Sequence, residues 1–578
     1  MNPYTWIWQY VKKDQARLIF AMILVVINAI GVIIVPMLGG MIVDTVIDGG
    51  HTEQLIPMLA VMIGATLIRT VMRYGYIILF ERIGQNALFS LRHDLFAKLQ
   101  SLDFTYFNTV RTGDLMARMT GDTDAIRNMI CWVSYNGMEC ILWFLAAVVV
   151  MGAINWQLMI ALVIVTPLIG ILTYHMSKQA LPVYFNIRQS FARLNTMVEE
   201  NISGNRVVKA FTREDYEIAK FDRLNHDYKT QNMAAAGISR RYLPPLDFLA
   251  SLLSVIVLLL GGGLVIAKRM SLGDLVTFNG FLWLLNQPMR MSGWLINDAQ
   301  RFSAATIKIR ALLGAKSSIQ APVIEKPRQM QGRVQFDHVS FAYPDAPEAP
   351  VLENINFTAE PGQTIGILGE TGSGKSTLMD LIARYYDPTK GRVLVDGVDL
   401  KQWPINALRD QITVVMQDLF LFSDTIADNI SYGNHEAPVP YIRQMAQVAA
   451  ADQFINAMPE GYQTVVGERG VGLSGGQKQR ISLTRALVND PKILILDDTT
   501  SALDMETEAE IQQHLKTVAA DKTVFIIASR ISSLRHADQI LVLQHGRLVA
   551  HGTHEELLKQ GGYYATTYAQ QTGGDPLG

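Results

Sequence analysis

Six long apolar segments, one after another, constrain this chain more than any other feature. They lie at about 18–43, 56–80, 131–153, 157–177, 246–267 and 275–296. A helix needs about 20 apolar residues to cross the hydrocarbon core of a bilayer. A soluble helical core has no use for six such runs in series. In lipid the backbone must satisfy its own polar groups, so each run reads as a helix. Pro36 falls in the first run, where a membrane helix tolerates it. The third and fourth runs are split only by a tight hairpin, Gly152–Gln157.

The spacing between the runs is also informative. Long polar stretches follow the second run and the fourth, both poor in Pro and Gly. Both predict helices that continue well past the membrane. The stretch from Lys178 to Arg241 holds more Lys and Arg than Asp and Glu, and the first short loop (44–54) holds no Lys or Arg. The positive-inside rule then places the N-terminus, both stretches and everything after the sixth run in the cytosol. Lys268 and Arg269 run weakly against that assignment. Lys12, Lys13 and Arg17 precede a first run too long for a signal peptide, which predicts a retained anchor.

Composition changes at a polar, Pro-containing stretch, 319–333. We expect a transmembrane domain over 1–318, a linker over 319–333, an α/β domain over 334–570 and a tail over 571–578. The 50 basic and 52 acidic residues give a net charge of -2, so no basic field marks a nucleic-acid partner. Cys131 and Cys140 sit nine residues apart on one predicted helix. They form neither a disulfide framework nor a metal-ligand pattern.

The second domain carries recognisable chemistry. Gly369, Glu370, Thr371, Gly372, Ser373, Gly374, Lys375, Ser376 and Thr377 fit G-x-x-x-x-G-K-[ST] between a buried-strand run and a helical run. Glycines let backbone N–H groups approach phosphates, and the helix N-terminus adds partial positive charge. Lys375 is placed for the β- and γ-phosphates and Ser376 for Mg²⁺. Asp497 ends the apolar strand Ile493–Asp497 and is placed to hold Mg²⁺ through water. ATP and Mg²⁺ are therefore the expected cofactors.

Just upstream of that strand stands Leu473–Arg480, LSGGQKQR. Paired with the phosphate loop, it resembles the ATP-binding-cassette (ABC) family. Six spans followed by one cassette resemble a type IV, exporter-fold half-transporter over the whole chain. The implied fold is an α-helical six-span domain followed by an α/β P-loop nucleotide-binding domain with the ABC helical subdomain. The resemblance implies further roles. Tyr343 stacks on adenine. Gln417 touches Mg²⁺ and the attacking water. Gly467–Gly470 contacts the intracellular loops, and Ser501–Asp504 crosses to the opposite cassette. Two cassettes sandwich two ATP molecules, so Ser474, Gly475, Gly476 and Gln477 of each chain face the ATP held by the other. Phe104–Asp122 and Val207–Phe221 resemble the segments that couple membrane domain to cassette.

Two positions depart from the family pattern. The residue after Asp497 is usually Glu and here is Asp498, one methylene shorter. Its carboxylate sits roughly 1–1.5 Å further back, and misplacement by about 1 Å can cost about 100-fold. Ser529 stands where the family usually has His, and Ser is shorter and stays neutral. Both residues act on this chain's own ATP, whereas the segments that act on the partner's ATP are intact. The resemblance therefore implies one subunit of a heterodimer with one degenerate site, whose partner carries Glu and His. A homodimer in which Asp498 works slowly is the other reading.

The implied activity is ATP-driven export by alternating access, with an amphipathic or hydrophobic small molecule as substrate. Arg69, Arg73, Glu139, His175, Arg290 and Asp298 lie in or beside the spans and are candidates for substrate contact or interhelical pairing. Nothing of peptidase character precedes the first run, so export coupled to leader cleavage is not expected. An importer on the same fold and an ATP-gated regulatory subunit fit the same residues. Direction of flux separates the first, and substrate-stimulated ATPase the second. The expected location is a bacterial inner membrane, multi-pass.

Overall fold

A computed structural model describes residues 2–319, 329–467, 470–500 and 502–573. Glu468, Arg469, Ser501 and most of the expected linker lie outside the described residues. The chain divides into two compact units, one of Met1–Ser101 with Arg111–Ala315, the other of Leu102–Val110 with Lys316–Gly578.

The first unit is helical. Its principal helices are α1 (Gln15–Gly31), α2 (Ile34–Ile42) and α3 (Leu55–Gln100). The short α4 (Phe104–Thr109) belongs to the second unit. Then follow α5 (Ser134–Ile154), α6 (Trp156–Ser203), α7 (Asn205–Ala210), α8 (Glu214–Ile256) and α9 (Leu272–Leu313). The polar stretches are helical as expected. At about 1.5 Å per residue, α3 and α6 each extend roughly 70 Å, well beyond a core about 30 Å thick. At the hairpin between α5 and α6, Asn155 caps α6 by accepting from the Leu158 N–H at 3.0 Å.

Among the described residues, five helical stretches are long and apolar enough to cross a membrane: Pro3–Asp48, Thr52–Gln100, Thr112–Ile154, Trp156–Ser203 and Glu214–Ile266. The sixth expected span is the N-terminal part of α9, which is long but less apolar, interrupted by Asn279, Asn286, Gln287 and Arg290. The reason is its position. Phe278, Phe281, Leu284 and Leu285 are fully buried against α5, α6 and α8, so one face of α9 packs on protein. By contrast, none of the most apolar window of Thr52–Gln100 is buried within this chain. A capping box, Ser271 with Asp274, starts α9, and Asp44 accepts from the Ser271 hydroxyl at 2.5 Å and the Gly273 N–H at 2.6 Å. A methyl group on Gly273 would stand 2.1 Å from the Gly40 carbonyl oxygen, so the two helices meet backbone to backbone.

The second unit is built on two sheets. The strands are β1 (Val334–Phe341), β2 (Leu352–Ala359), β3 (Thr364–Gly369), β4 (Lys390–Val395), β5 (Val398–Asp399), β6 (Ile412–Val415), β7 (Ile493–Asp497), β8 (Thr523–Ile527), β9 (Gln539–Gln544) and β10 (Arg547–Gly552). The order β2-β1-β4-β5 makes an antiparallel sheet. The order β10-β9-β3-β8-β7-β6 makes the other, parallel from β9 to β6. Its central strands are buried on both faces, as their unbroken apolar runs require. Helix α10 (Lys375–Ile382) follows β3, α11 (Gly475–Val488) precedes β7, and α12 (Met505–Val518) follows it. Short helices at Ile426–Ile430, Val439–Val448 and Asp452–Asn456 pack with α11 into a second core. The C-terminal helix is α13 (Gly562–Thr572).

The first coupling segment is divided between the units. Residues 104–110 belong to the second, where the Phe104 ring lies 4.6 Å from that of Tyr385 and the Asn108 amide donates to the Tyr386 hydroxyl at 2.8 Å. Asp103 caps α4 and also accepts from the hydroxyls of Ser317 and Ser318, at 2.8 and 2.6 Å. In the second segment, α7 forms a short helix between α6 and α8, with Val207 and Phe211 exposed.

Candidate nucleotide site

Parallel sheets gather function at the carboxyl ends of their strands. Here β3 ends at Gly369, β7 at Asp497, β6 two residues before Gln417, and β8 two residues before Ser529. The register makes them neighbours: Val415 pairs with Leu496, and Asp497 with Ile527.

The turn from β3 into α10 needs glycine. Gly372 and Gly374 have φ of 81° and 97°, and a side chain on Gly374 would start 2.6 Å from Leu352 Cδ2. Glu370 and Thr371 are exposed, whereas Ser373 is buried with a hydroxyl that makes no hydrogen bond among the described residues. The Lys375 ammonium folds back onto the carbonyl oxygens of Gly369 at 2.9 Å and Glu370 at 2.7 Å. Burial pulls its pKa below the ordinary range, against the opposing charges of Asp497 and Asp498. Ser376 donates to Asp497 at 2.9 Å. Burial lifts the Asp497 carboxyl above the usual carboxylate range, Ser376 opposing and the Asp498 charge adding to the rise.

These residues fit a magnesium nucleotide. A hydroxyl and a carboxylate meet as an all-oxygen donor pair suited to a small hard cation. The unpartnered Ser373 hydroxyl, the left-handed glycines and the α10 N-terminus suit phosphate oxygens. Beside them, the Tyr343 hydroxyl bonds Thr377 at 3.0 Å, and its ring meets Phe341 and Tyr386 edge-on at 5.0 and 5.2 Å. Gln417 is exposed on the loop after β6.

Asp498 sits at φ 49°, a left-handed conformation that Asp tolerates better than most residues. Its N–H donates to the Ile527 carbonyl at 3.0 Å, and its carbonyl accepts from the Gln479 amide at 3.4 Å. Ser529 is exposed, and its carbonyl accepts from Gln571 at 2.8 Å. At the other end of that turn the Ile531 N–H donates to the same Gln571, at 2.9 Å.

Ser474 and Gln477 form a capping box at the start of α11. Gly475 and Gly476 fill its first turn, against the loop that follows β7. A side chain on Gly476 would stand 3.1 Å from Leu503 Cδ2 and 3.2 Å from the Ala502 carbonyl oxygen.

Three residues that the sequence did not single out organise this region. Gln479, nearly buried in α11, donates to Asp498 and accepts from the Ala502 N–H at 3.2 Å, so one side chain spans the loop. Gln571, at the expected start of the tail, holds the Ser529 turn from α13. Glu508 in α12 is 5% exposed and accepts from Thr500 at 3.0 Å and from the Ser533 hydroxyl, with Arg530 at 3.6 Å. Glu508 thus ties the loop after β7 to the turn after β8. Gln479 stands inside the Leu473–Arg480 octapeptide, but nothing local marks its role, and nothing marks Glu508 or Gln571 at all. Replacing Glu508 with Ala leaves Thr500 and Ser533 without their acceptor and is expected to cost about 1–3 kcal/mol. A lowered melting temperature of the full-length chain, with a smaller drop for Glu508→Gln, would show it.

Comparison with known proteins agrees with this geometry. The profile described as ABC transporter transmembrane region matches residues 18–289, and the one described as ABC transporter matches 352–501. The chain is 36% identical to the uncharacterized ABC transporter ATP-binding protein YknU of Bacillus subtilis (strain 168), over 98% of this chain and 96% of that one. It is 34% identical to the multidrug resistance-like ATP-binding protein MdlA of Escherichia coli (strain K12), over 97% and 95%. A solved bacterial Atm1-family ABC exporter with ATP bound superimposes with a TM-score of 0.78 at 28% identity, covering 96% of this chain and 98% of that one. The chain therefore belongs to the ABC transporters, as a half-transporter of the type IV exporter fold with one membrane half and one ATP-binding cassette.

Proposed function

We propose that this chain is one subunit of a heterodimeric ABC exporter that moves small amphipathic or hydrophobic compounds out across the bacterial inner membrane. Its N-terminus and cassette lie in the cytosol. Its own ATP site binds nucleotide but hydrolyses it poorly, and its α11 N-terminus completes the partner's competent site.

One observation carries this reading: the two departures fall on one side of the chemistry. Asp498 directly follows β7 and Ser529 lies two residues beyond β8, at the same sheet end as the phosphate loop of this chain. The capped α11 turn and the loop packed on it keep the expected residues. Lys375, Ser373 and the α10 N-terminus hold the phosphates, Ser376 and Asp497 hold Mg²⁺, and Tyr343 and Gln417 border the nucleotide. ATP held at this site acts as a conformational ligand across several turnovers. The exposed Val207 and Phe211 at α7 suit docking against a cassette, the contact through which closure reaches the membrane helices. The multidrug name of one relative supports the substrate class.

The test is steady-state ATPase activity of this chain purified alone and with its co-expressed second half-transporter. We expect little activity alone, brisk activity in the pair, and abolition when the partner's catalytic Glu becomes Gln. Brisk hydrolysis and transport by this chain alone would make it a homodimer with Asp498 as a working base.

A further inference from the structure

A polar cluster is buried inside the membrane half, on α1, α3 and α5. Glu139 is 1% exposed, and one of its carboxylate oxygens accepts from the Asn28 amide at 3.2 Å and from the Tyr76 hydroxyl. Its other oxygen is buried and makes no hydrogen bond among the described residues. Arg69, Arg73 and Tyr76 follow the i, i+4, i+7 spacing of one α3 face. The Arg69 stem lies over Gly31, where a methyl group would stand 3.2 Å from its Cδ, and its Nε is buried without a partner. Arg73 is exposed at the surface of this chain. Among the described residues neither guanidinium makes an ion pair. Two cations therefore stand against at most one anion.

Their depth matters. Counted from Leu55 at about 1.5 Å per residue, Arg69 lies about 21 Å and Arg73 about 27 Å along α3, within the far half of a core about 30 Å thick. Ionisable groups within a span almost always face the bundle interior or a water-filled cavity, and Arg73, near the cytosolic edge, stands where such a cavity opens to the inner leaflet. Guanidinium forks match the flat oxygens of carboxylates and phosphates.

We propose that Arg69 and Arg73 bind the anionic headgroup of an amphiphile taken from the cytosolic leaflet. This names the substrate class of the export reading and rests on it for the direction of movement. Asn28 and Tyr76 donate to one Glu139 oxygen, and among the described residues that carboxylate forms no salt bridge with either guanidinium, which leaves the guanidiniums available to a ligand.

The experiment places the full-length chain in phosphatidylcholine nanodiscs without nucleotide and titrates a dansyl-labelled long-chain carboxylate and its trimethylammonium counterpart. The carboxylate is expected to bind at least about tenfold more tightly, and Arg69→Gln with Arg73→Gln to remove about that factor. Arg69→Lys with Arg73→Lys keeps most of the preference. Arg73→Gln alone, at an exposed position, serves if the double variant does not fold, and is expected to lose severalfold. Equal affinity for the two probes, or an unchanged preference in the Gln variants, overturns the proposal. Competition by phosphatidylglycerol without transport assigns the headgroup to a resident lipid, and ATP-dependent movement of the carboxylate in the assembled pair assigns it to cargo. Because binding is read without nucleotide, a pair that lacks ATPase activity would overturn the export reading and leave the anion site standing.

Discussion

Gly476→Glu in this chain is expected to lower the ATPase activity of the assembled pair by about 100-fold or more, the range seen when an electrostatic contact to a reacting phosphate or oxyanion is lost. Asp498→Asn is expected to change the same rate by less than about threefold, because it removes a group already set back from the reacting centre. The contrast follows from which ATP each residue serves. Ser474 caps α11, and Gly475 and Gly476 leave its first turn bare. That helix end carries partial positive charge and free N–H groups, which in the proposed dimer meet the partner's nucleotide. A carboxylate at 476 would put negative charge there, against phosphate. Its Cβ would also press on Leu503 and Ala502, displacing the loop after β7. ATP binding to this chain's own phosphate loop should persist, so photolabelling by an azido-ATP separates lost chemistry from lost folding. Equal losses for Gly476→Glu and Asp498→Asn would mean that both sites hydrolyse, and the one-site heterodimer would fall.

Much of this site was legible in the sequence because its chemistry is local. A phosphate loop needs glycines at left-handed positions and a lysine at the following helix, and those residues are contiguous. Asp497 is marked by the apolar strand it ends. Glu508 and Gln571 were not legible, nor was the bridging role of Gln479 within its octapeptide, because each works by joining segments distant in sequence. Glu508 reads as an ordinary helix-surface acid until α12 folds over Thr500 and Ser533 and buries it. Gln571 reads as the start of a tail until α13 lays it against the Ser529 turn.

In the membrane half, the periodicity and length of the apolar runs gave the spans. The sixth was less apolar than the rest, because α9 packs on protein, and hydropathy measures exposure to lipid rather than burial. Nor could the sequence show that residues 104–110 would join the second unit, since Phe104 and Asn108 find their partners in Tyr385 and Tyr386, far along the chain.

Asp498→Glu together with Ser529→His is expected to raise hydrolysis at this chain's own site by about 100-fold, the factor attached to moving a catalytic group by about 1 Å. The measurement uses the pair with the partner's catalytic Glu changed to Gln, so that any remaining turnover comes from this site. Backbone geometry makes the expectation sharp. Asp498 is held on both sides, its N–H on the Ile527 carbonyl and its carbonyl on Gln479, so side-chain length alone sets how far the carboxylate reaches. Glu adds the missing methylene at a left-handed position that suits Glu less than Asp, at a cost of about 1 kcal/mol. At the other position Ser529 is exposed and its turn is held through its carbonyl by Gln571, so an imidazole has room without moving the backbone. The two changes should be coupled rather than additive, because a γ-phosphate donor helps little until a base is in reach. Asp498→Glu alone should therefore recover part of the rate, about tenfold, and Ser529→His alone almost none. If the double variant stays inactive in that background while still binding ATP, the block lies in the partner's α11 turn, which completes this site, and Asp498 and Ser529 are its companions rather than its cause.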